Sequence, residues 1–256
     1  MDPKELVKLI KNSKKYKEIS GEIIKTRVEE FLKKYPYADE KLALKEIKAS
    51  LHKTHGSFRF STKLKNKYIQ TGDFLELLKS NRSTKERLEI YPELYEEIFE
   101  ITGKPSSVVD LGCGLNPLSF SHMNLDKKIK YFAYDINESD KEIINHFFKS
   151  EKIDGKAEIL DLSKIENVKE LPNAEICFMF KLLDVLEKKG HKYSEEIILE
   201  LIKKYKFIVV SFSKLTVSGK PMNFPYRGWI EKMLERKKLN SKLLNFPNEF
   251  FYIISD

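Results

Sequence analysis

Ser107-Val108-Val109-Asp110-Leu111-Gly112-Cys113-Gly114 carries the strongest structural signal in this 256-residue chain. The segment begins with a short apolar run, which predicts a buried β-strand. The two glycines that follow let the backbone turn tightly and approach a ligand closely. A strand that leads straight into such a turn is typical of the first βα unit of a Rossmann-like domain.

The chain after this segment alternates between strand and helix patterns. Further strands are predicted over 131–135, 157–161, 175–180 and 207–211, and Ser139 and Ser194 are expected to cap helices between them. This alternation predicts an α/β domain with a mostly parallel sheet covered on both faces. Apolar runs at 243–244 and 250–254 flank Phe246-Pro247-Asn248 and predict a C-terminal antiparallel hairpin.

The chain before this segment has helical patterns only. Helices are predicted after Ser20, from about Asp39 to just before Gly56, over 74–78, and from Ser83 onward with a break at Pro92. Gly103 follows the last of them. The sequence therefore predicts an all-helical domain over residues 1–103, followed by the Rossmann-like domain over residues 104–256.

Two aspartates close the strands that follow the glycine turn. Asp135 stands 21 residues after Gly114, where a carboxylate can accept both ribose hydroxyls of an adenosine. Asp161 ends the next predicted strand, where a side chain can reach the adenine. Pro117 replaces the third glycine of a dinucleotide fingerprint, which argues against NAD. These features at successive strand ends favour S-adenosylmethionine (SAM) over an inert Rossmann core.

The positive charge is concentrated ahead of the glycine turn. The chain carries a net charge of +8, and residues 51–87 hold nine Lys and Arg against three acids, interleaved with aromatic residues. Phosphate binding explains such a stretch, and so does a solvated helical surface. No apolar run is long enough to cross a membrane, and no signal peptide is evident, so a cytoplasmic protein is expected.

The sequence offers no evident catalytic side chain or metal site. Cys113 and Cys177 fall in a turn and an apolar strand, so packing explains them better than nucleophilic chemistry. The histidines lack metal-ligand spacing. Trp229 is compatible equally with packing under a helix and with holding a substrate base.

Several collinear motifs resemble the aminoglycoside-resistance 16S rRNA methyltransferases of the ArmA and Rmt type, which methylate guanine N7. The resemblance covers nearly the whole chain. It includes the glycine turn up to Leu118, the Ser83-Thr-Lys-Glu-Arg87 helix and the Leu51-His52 segment with Gly56. It continues in Phe180-Lys-Leu-Leu183 and in Ser211-Phe212 with Ser218-Gly219-Lys220. Two departures are Ser213, which stands where the family has proline, and a short proline-containing loop over 220–226.

The resemblance implies a SAM-dependent enzyme whose helical domain docks on 16S rRNA in the 30S subunit, and we expect it to act as a monomer. Arg87 would face the methionine carboxylate. The expected cofactor contacts are Arg87, Asp110, Gly112, Cys113, Gly114, Asp135, Ile136, Asp161, Leu162 and Lys181. The expected RNA contacts are His52, Lys53, Lys63, Lys65, Lys67, Arg82, Lys214, Lys220 and Tyr226.

The implied chemistry needs positioning rather than acid–base catalysis. Guanine N7 already has a lone pair, so no catalytic residue is assigned. The fourth strand leads into Phe180-Lys181 and not into the Asn/Asp-Pro-Pro motif of exocyclic-amine methyltransferases. The alternatives are a methyltransferase acting on another RNA nucleotide, one acting on a small molecule with the helical domain as a lid, and a SAM-binding module without catalysis.

Overall fold

The structure, a computed structural model, describes residues 2–55, 67, 69–187, 190–216 and 218–256, with 53–55 described by their backbone only. Lys63 and Lys65, two of the expected RNA contacts, lie outside the described residues, as does the side chain of Lys53. Among the described helices, none combines the length and apolar character needed to cross a bilayer.

The described residues form a seven-stranded sheet with the order β3-β2-β1-β4-β5-β7-β6. The first five strands run parallel, and β7 inserts antiparallel between β5 and β6. The predicted α/β fold with a C-terminal antiparallel hairpin is therefore confirmed. The strands are β1 Ser107–Leu111, β2 Lys130–Asp135, β3 Gly155–Ile159, β4 Ala174–Phe180, β5 Tyr205–Ser213, β6 Asn240–Asn245 and β7 Glu249–Ser255.

Helices precede the sheet and cover both of its faces. A 3-10 helix, Asn116–His122, follows the glycine turn after β1. The α-helices are α1 Pro3–Lys11, α2 Gly21–Lys34, α3 Glu40–His55, α4 Phe74–Ser80, α5 Arg82–Arg87, α6 Tyr91–Thr102, α7 Glu138–Glu151, α8 Ile165–Lys169, α9 Leu183–Leu186, α10 Lys192–Leu201 and α11 Gly228–Lys237.

The helices before the sheet fall into two groups by their packing. Helices α1–α3, here called the N-terminal unit, bury their own apolar cluster around Ile10, Ile24 and Leu51. Helices α4 and α6 instead share the cluster that lies on one face of the sheet, and α5 connects them. Pro92 lies in the first turn of α6, which separates α5 from α6 as expected. The predicted domain boundary at residue 103 stays a prediction.

Three local expectations were wrong by a few residues. Asn137, rather than Ser139, caps α7, because its side chain accepts the backbone N–H groups of residues 139 and 140. The N-cap of α10 is His191, and Ser194 is buried inside that helix. Strand β3 ends at Ile159, so Asp161 lies in the loop beyond the strand.

Candidate functional site

A pocket opens at the carboxyl ends of β1, β2 and β4, where ligands bind in open α/β sheets. Nine of the ten expected cofactor contacts are among its twenty lining residues. The expected cofactor residues that line it are Arg87, Gly112, Cys113, Gly114, Asp135, Ile136, Asp161, Leu162 and Lys181. The remaining lining includes Asn81, Thr84, Asn137, Phe180, Leu182 and Val185.

The glycine turn forms one side of the pocket in a left-handed backbone conformation. Gly112 has φ +59°, and a Cβ atom built on it would approach Leu182 Cδ1 to 2.5 Å. Gly114 has φ +49°, with no such close neighbour. A side chain at Gly112 would be strained and would also displace the buried side chain of Leu182, whereas one at Gly114 would be strained by the backbone conformation alone.

Asp135 is fixed at the pocket wall by backbone donors. Its Oδ2 accepts the N–H of Gly114 at 2.8 Å, and its Oδ1 accepts those of Ile136 and Asn137 at 2.7 and 3.1 Å. The carboxylate thus connects the glycine turn to the loop after β2. These contacts fix the orientation of the carboxylate at the pocket wall, because a carboxylate accepts hydrogen bonds along defined directions.

Asp110 lies behind the glycine turn and not in the pocket lining. Its Oδ2 accepts from Asn116 Nδ2 and from the Tyr131 hydroxyl, both at 2.9 Å. Its Oδ1 is buried and has no hydrogen-bond partner among the described residues. Desolvation raises the pKa of Asp110 to about 6, against the lowering effect of its two donors. Its expected contact with the cofactor stays a prediction.

Arg87 is paired with a carboxylate that sequence reasoning missed. Its Nε and Nη2 donate to Glu249 at 3.0 to 3.1 Å, and the two residues are 2% and 1% exposed. Burial lowers the pKa of Arg87, but Glu249 raises it to a net value well above the ordinary one. Glu249 is the first residue of an otherwise apolar strand. A lone carboxylate beside an apolar run was the only feature of the sequence that could have indicated a buried ion pair.

Lys181 joins this ion pair to the loop after β5. Its backbone is left-handed, with φ +56°, and its Nζ lies 2.6 Å from Glu86 and 3.1 Å from Glu249. Glu86 also accepts from Arg82 Nε at 2.6 Å, and Arg82 Nη2 donates to the Thr216 carbonyl at 3.0 Å. A chain of charge contacts therefore runs from the pocket to the loop that contains Thr216.

Four of the expected RNA contacts lie in or against this loop after β5. Arg82 reaches its backbone through Thr216, and Lys220 N donates to Thr216 Oγ1 at 3.1 Å. Lys214 Nζ lies 4.6 Å from the centre of the Phe250 ring, on which Tyr226 also packs at 4.7 Å. His52 and Lys67 are exposed elsewhere, on α3 and near α4.

The aromatic residues near this loop separate into packed and exposed ones. Trp229 stacks on His191 at 4.5 Å and meets Phe212 edge-on at 6.0 Å, so the structure favours the packing interpretation. Phe224 is 89% exposed and Tyr226 is 61% exposed. Large exposed rings beside lysines are suited to stacking on nucleic-acid bases.

Neither cysteine has the surroundings of a nucleophile. Burial raises the pKa of the Cys113 and Cys177 thiols well above the ordinary value, which suppresses the reactive thiolate. In the part of the chain that the structure describes, no group of His, Cys, Asp and Glu residues has the arrangement of a metal site.

The sheet order and the position of the pocket together define a class I methyltransferase fold, with its antiparallel β7 inserted beside β5. The family model for "Ribosomal RNA methyltransferase (FmrO)" matches residues 12–253. The chain belongs to this family of ribosomal RNA methyltransferases. The family resemblance found in the sequence motifs is thereby confirmed.

Individual relatives agree with this assignment. A Proteus mirabilis protein named 16S rRNA (guanine(1405)-N(7))-methyltransferase is 31% identical over 189 residues, which cover 71% of this chain and 64% of that protein. A protein of the same name from Frankia casuarinae is 25% identical over 96% of this chain and 90% of its own length. The chain therefore spans just under two thirds of the first relative and nine tenths of the second.

A solved structure shows the same fold over the full chain. The 16S rRNA methyltransferase RmtF, in complex with S-adenosyl-L-homocysteine, superposes with a TM-score of 0.81 at 22% identity and covers 100% of this chain and 99% of its own. At that level of identity the match establishes the fold.

Proposed function

We propose that this chain transfers the methyl group of SAM to N7 of a guanine in 16S rRNA, of the position-1405 type that its relatives' names specify. The observation that carries this proposal is the pocket at the carboxyl ends of β1 and β2. There, the glycine turn and Asp135 form one hydrogen-bonded wall in a chain of the rRNA methyltransferase family.

The pocket residues fit SAM end to end. Asp135 lines the pocket where its carboxylate would meet the ribose hydroxyls, and Asp161 lines it where its carboxylate would meet the adenine. The glycine turn contributes backbone to the pocket lining, and the sulfonium portion would lie against it. Arg87 and Lys181 line the pocket and would meet the methionine carboxylate alongside their ion pairs with Glu249 and Glu86.

Bound SAM supplies an electrophilic methyl group, and guanine N7 supplies the lone pair that accepts it. The protein's task is then to align the two reactants and to exclude water. Proton removal is unnecessary, which agrees with a pocket whose aspartates are engaged by fixed donors. We infer that the exposed rings of Phe224 and Tyr226 stack on the target guanine after it has flipped out of the RNA base stack.

Substrate docking is proposed to involve the helical residues 1–103, ahead of the catalytic residues 104–256. The expected contacts are His52, Lys53, Lys63, Lys65 and Lys67 from the helical part, with Arg82, Lys214, Lys220 and Tyr226 near the pocket. We infer that the substrate is the 30S subunit, bound by a monomer in the cytoplasm. Phosphate contacts of this kind make binding fall steeply with salt.

Methyl transfer to purified 30S subunits tests the proposal. Subunits are incubated with the protein and labelled SAM, treated with borohydride and aniline, and analysed by primer extension. A methylated N7 labilises the ring, so a strand stop is expected beside a decoding-region guanine in enzyme-treated subunits only. A methyl group on an adenine or on an exocyclic amine would contradict the proposed product. Labelling of small molecules in place of RNA would contradict the proposed substrate.

A further inference from the structure

The N-terminal unit contacts the catalytic domain at the two loops that approach the adenosine end of the pocket. At the loop after β2, Ile19 forms a β-bridge with Asn137, and Ser20 N donates to the Ile136 carbonyl at 3.0 Å. Ile136 itself packs against the unit's apolar cluster. The unit therefore rests directly on the outer side of the pocket wall.

Arg27 makes the corresponding contact at the loop after β3. It lies on α2 and is 7% exposed. Its Nη2 donates to Asp161 Oδ1 and Oδ2 at 3.0 and 2.8 Å and also contacts Ser163 Oγ. Its Nη1 donates to Glu30 at 3.1 Å. The carboxylate expected to meet the adenine is thus held from behind by a residue 134 positions earlier in the chain.

This ion pair has the features of an orienting contact. Arg27 Nε is buried and has no partner among the described residues, so the guanidinium is incompletely satisfied. A buried ion pair that leaves one N–H group without a partner adds little to the free energy of unfolding, so a role in orienting Asp161 explains it better. Asp161 Oδ1 already accepts both Arg27 and the N–H of Ser163, at 3.0 Å. Oδ2 has one donor among the described contacts and so retains capacity for another.

We propose that Arg27 is a positioning residue that directs the Asp161 carboxylate at the 6-amino group of the cofactor's adenine. The N-terminal unit thereby contributes to cofactor selectivity without touching the cofactor. This inference rests on the proposed function, because it takes the adenine end of SAM to lie against Asp161. A purely structural role for Arg27 would weaken the binding of every ligand alike and would leave selectivity for the amino group unchanged.

Calorimetry with two ligands separates these roles. The probes are S-adenosylhomocysteine and S-inosylhomocysteine, in which a carbonyl replaces the 6-amino group. Wild-type protein is expected to bind the adenosyl ligand about tenfold more tightly, the value of one charge-assisted hydrogen bond. Asp161→Ala should abolish that preference. Arg27→Met should reduce it to about twofold, because the carboxylate is no longer directed at the amino group.

A matched control and a kinetic measurement complete the test. Lys25 is exposed on the same helix and pairs with Glu29, so Lys25→Met should keep the full preference. With 30S subunits as substrate, Arg27→Met should raise the KM for SAM about fivefold and leave kcat within about twofold, because the reacting atoms are not touched. If Arg27→Met fails to fold, Arg27→Lys retains the charge on a shorter side chain, and it should lower the preference at least threefold.

Each outcome is informative. A folded Arg27→Met or Arg27→Lys protein that keeps the wild-type preference overturns the proposal, as does an equal loss of affinity for both ligands. A wild-type protein that binds both ligands equally also overturns it, while the proposed function stands. A wild-type protein that binds neither ligand instead overturns the proposed function itself, and this inference with it.

Discussion

Replacing Glu249 with glutamine removes the negative charge that faces the buried guanidinium of Arg87. The two side chains are 2% and 1% exposed and share three contacts of 3.0 to 3.1 Å. Lys181 Nζ lies 3.1 Å from the same carboxylate, and Ser211 Oγ also donates to it. Glutamine preserves the shape of the side chain, so the change isolates the loss of charge.

The expected cost follows from burial. Removing one partner of a buried ion pair leaves an uncompensated charge and costs about 3–5 kcal/mol. For a chain of this size, each kcal/mol lowers the Tm by about 2–4 °C, so Glu249→Gln should melt roughly 10 °C below wild type. Lys181 retains Glu86 at 2.6 Å, so Arg87 is the group that is left without a counter-charge.

Urea unfolding followed by the fluorescence of Trp229, the chain's single tryptophan, measures this change in free energy. Glu151→Gln is the matched control, because its pair with Lys127 is 42% and 56% exposed. The control should cost less than about 1 kcal/mol. The double variant Arg87→Met with Glu249→Leu should be more stable than Glu249→Gln, because it leaves no buried charge unpaired.

Two results would refute this reasoning. The first is a Glu249→Gln protein within about 1 kcal/mol of wild type, which is the size of effect expected for an exposed pair. The second is a double variant whose loss equals the sum of the losses measured for Arg87→Met alone and Glu249→Leu alone, because that would mean the two charges do not interact.

Three further predictions concern the pocket and its surroundings. Gly112→Ala should weaken S-adenosylhomocysteine binding more than Gly114→Ala. Both variants incur roughly 1–2 kcal/mol of left-handed backbone strain, but only the new Cβ at residue 112 also approaches Leu182 Cδ1, to 2.5 Å. Equal losses of affinity in calorimetry would contradict this prediction. Asp110 has a pKa of about 6 when folded, above its unfolded value, so the stability of wild type relative to Asp110→Asn should be highest below about pH 4. It should fall by about 3 kcal/mol as the pH rises from about 4 through 6 and level off above that. A difference in urea-unfolding free energy that stays constant from about pH 4 to about pH 7 would contradict a raised pKa of Asp110 in the folded protein. Lys67→Glu and Lys220→Glu should each weaken 30S binding and lower the salt dependence of that binding by about one unit of slope, with unchanged S-adenosylhomocysteine affinity. Lys127→Glu, next to the opposite end of the strands, is the control and should leave both 30S binding and its salt dependence unchanged. If all three variants bind 30S subunits equally well, Lys67 and Lys220 are only a solvated surface.

Sequence patterning predicted the elements that bury continuous apolar runs. The strands that contain Val108 and Ile208 are buried on both faces of the sheet. Their continuous apolar composition is therefore enough to identify them. The sequence could also predict the pocket residues Gly112 and Asp135, because their spacing is set by a short, local strand–turn–helix unit. Sequence patterning placed the first helix after Ser20, whereas α1 begins at Pro3 and buries only Leu6 and Ile10.

The pairings behind the pocket wall could not be predicted. Arg87 and Glu249 are 162 residues apart, and Arg27 and Asp161 are 134 apart. A lysine- and glutamate-rich chain contains many charges that could pair, and no periodicity distinguishes a buried partner from a solvated one. Only the packing of α2 and β7 selects these four residues from the rest.

The insertion of β7 between β5 and β6 affects how the protein is made. Ribosomes synthesise β7 after both of its neighbours, so the nascent sheet has an unpaired β5 edge until the β6–β7 hairpin docks. Arg87 emerges long before Glu249 and lacks its counter-charge during that interval. Translation arrest before residue 249 would therefore yield a chain with an open, aggregation-prone strand edge and an incomplete pocket.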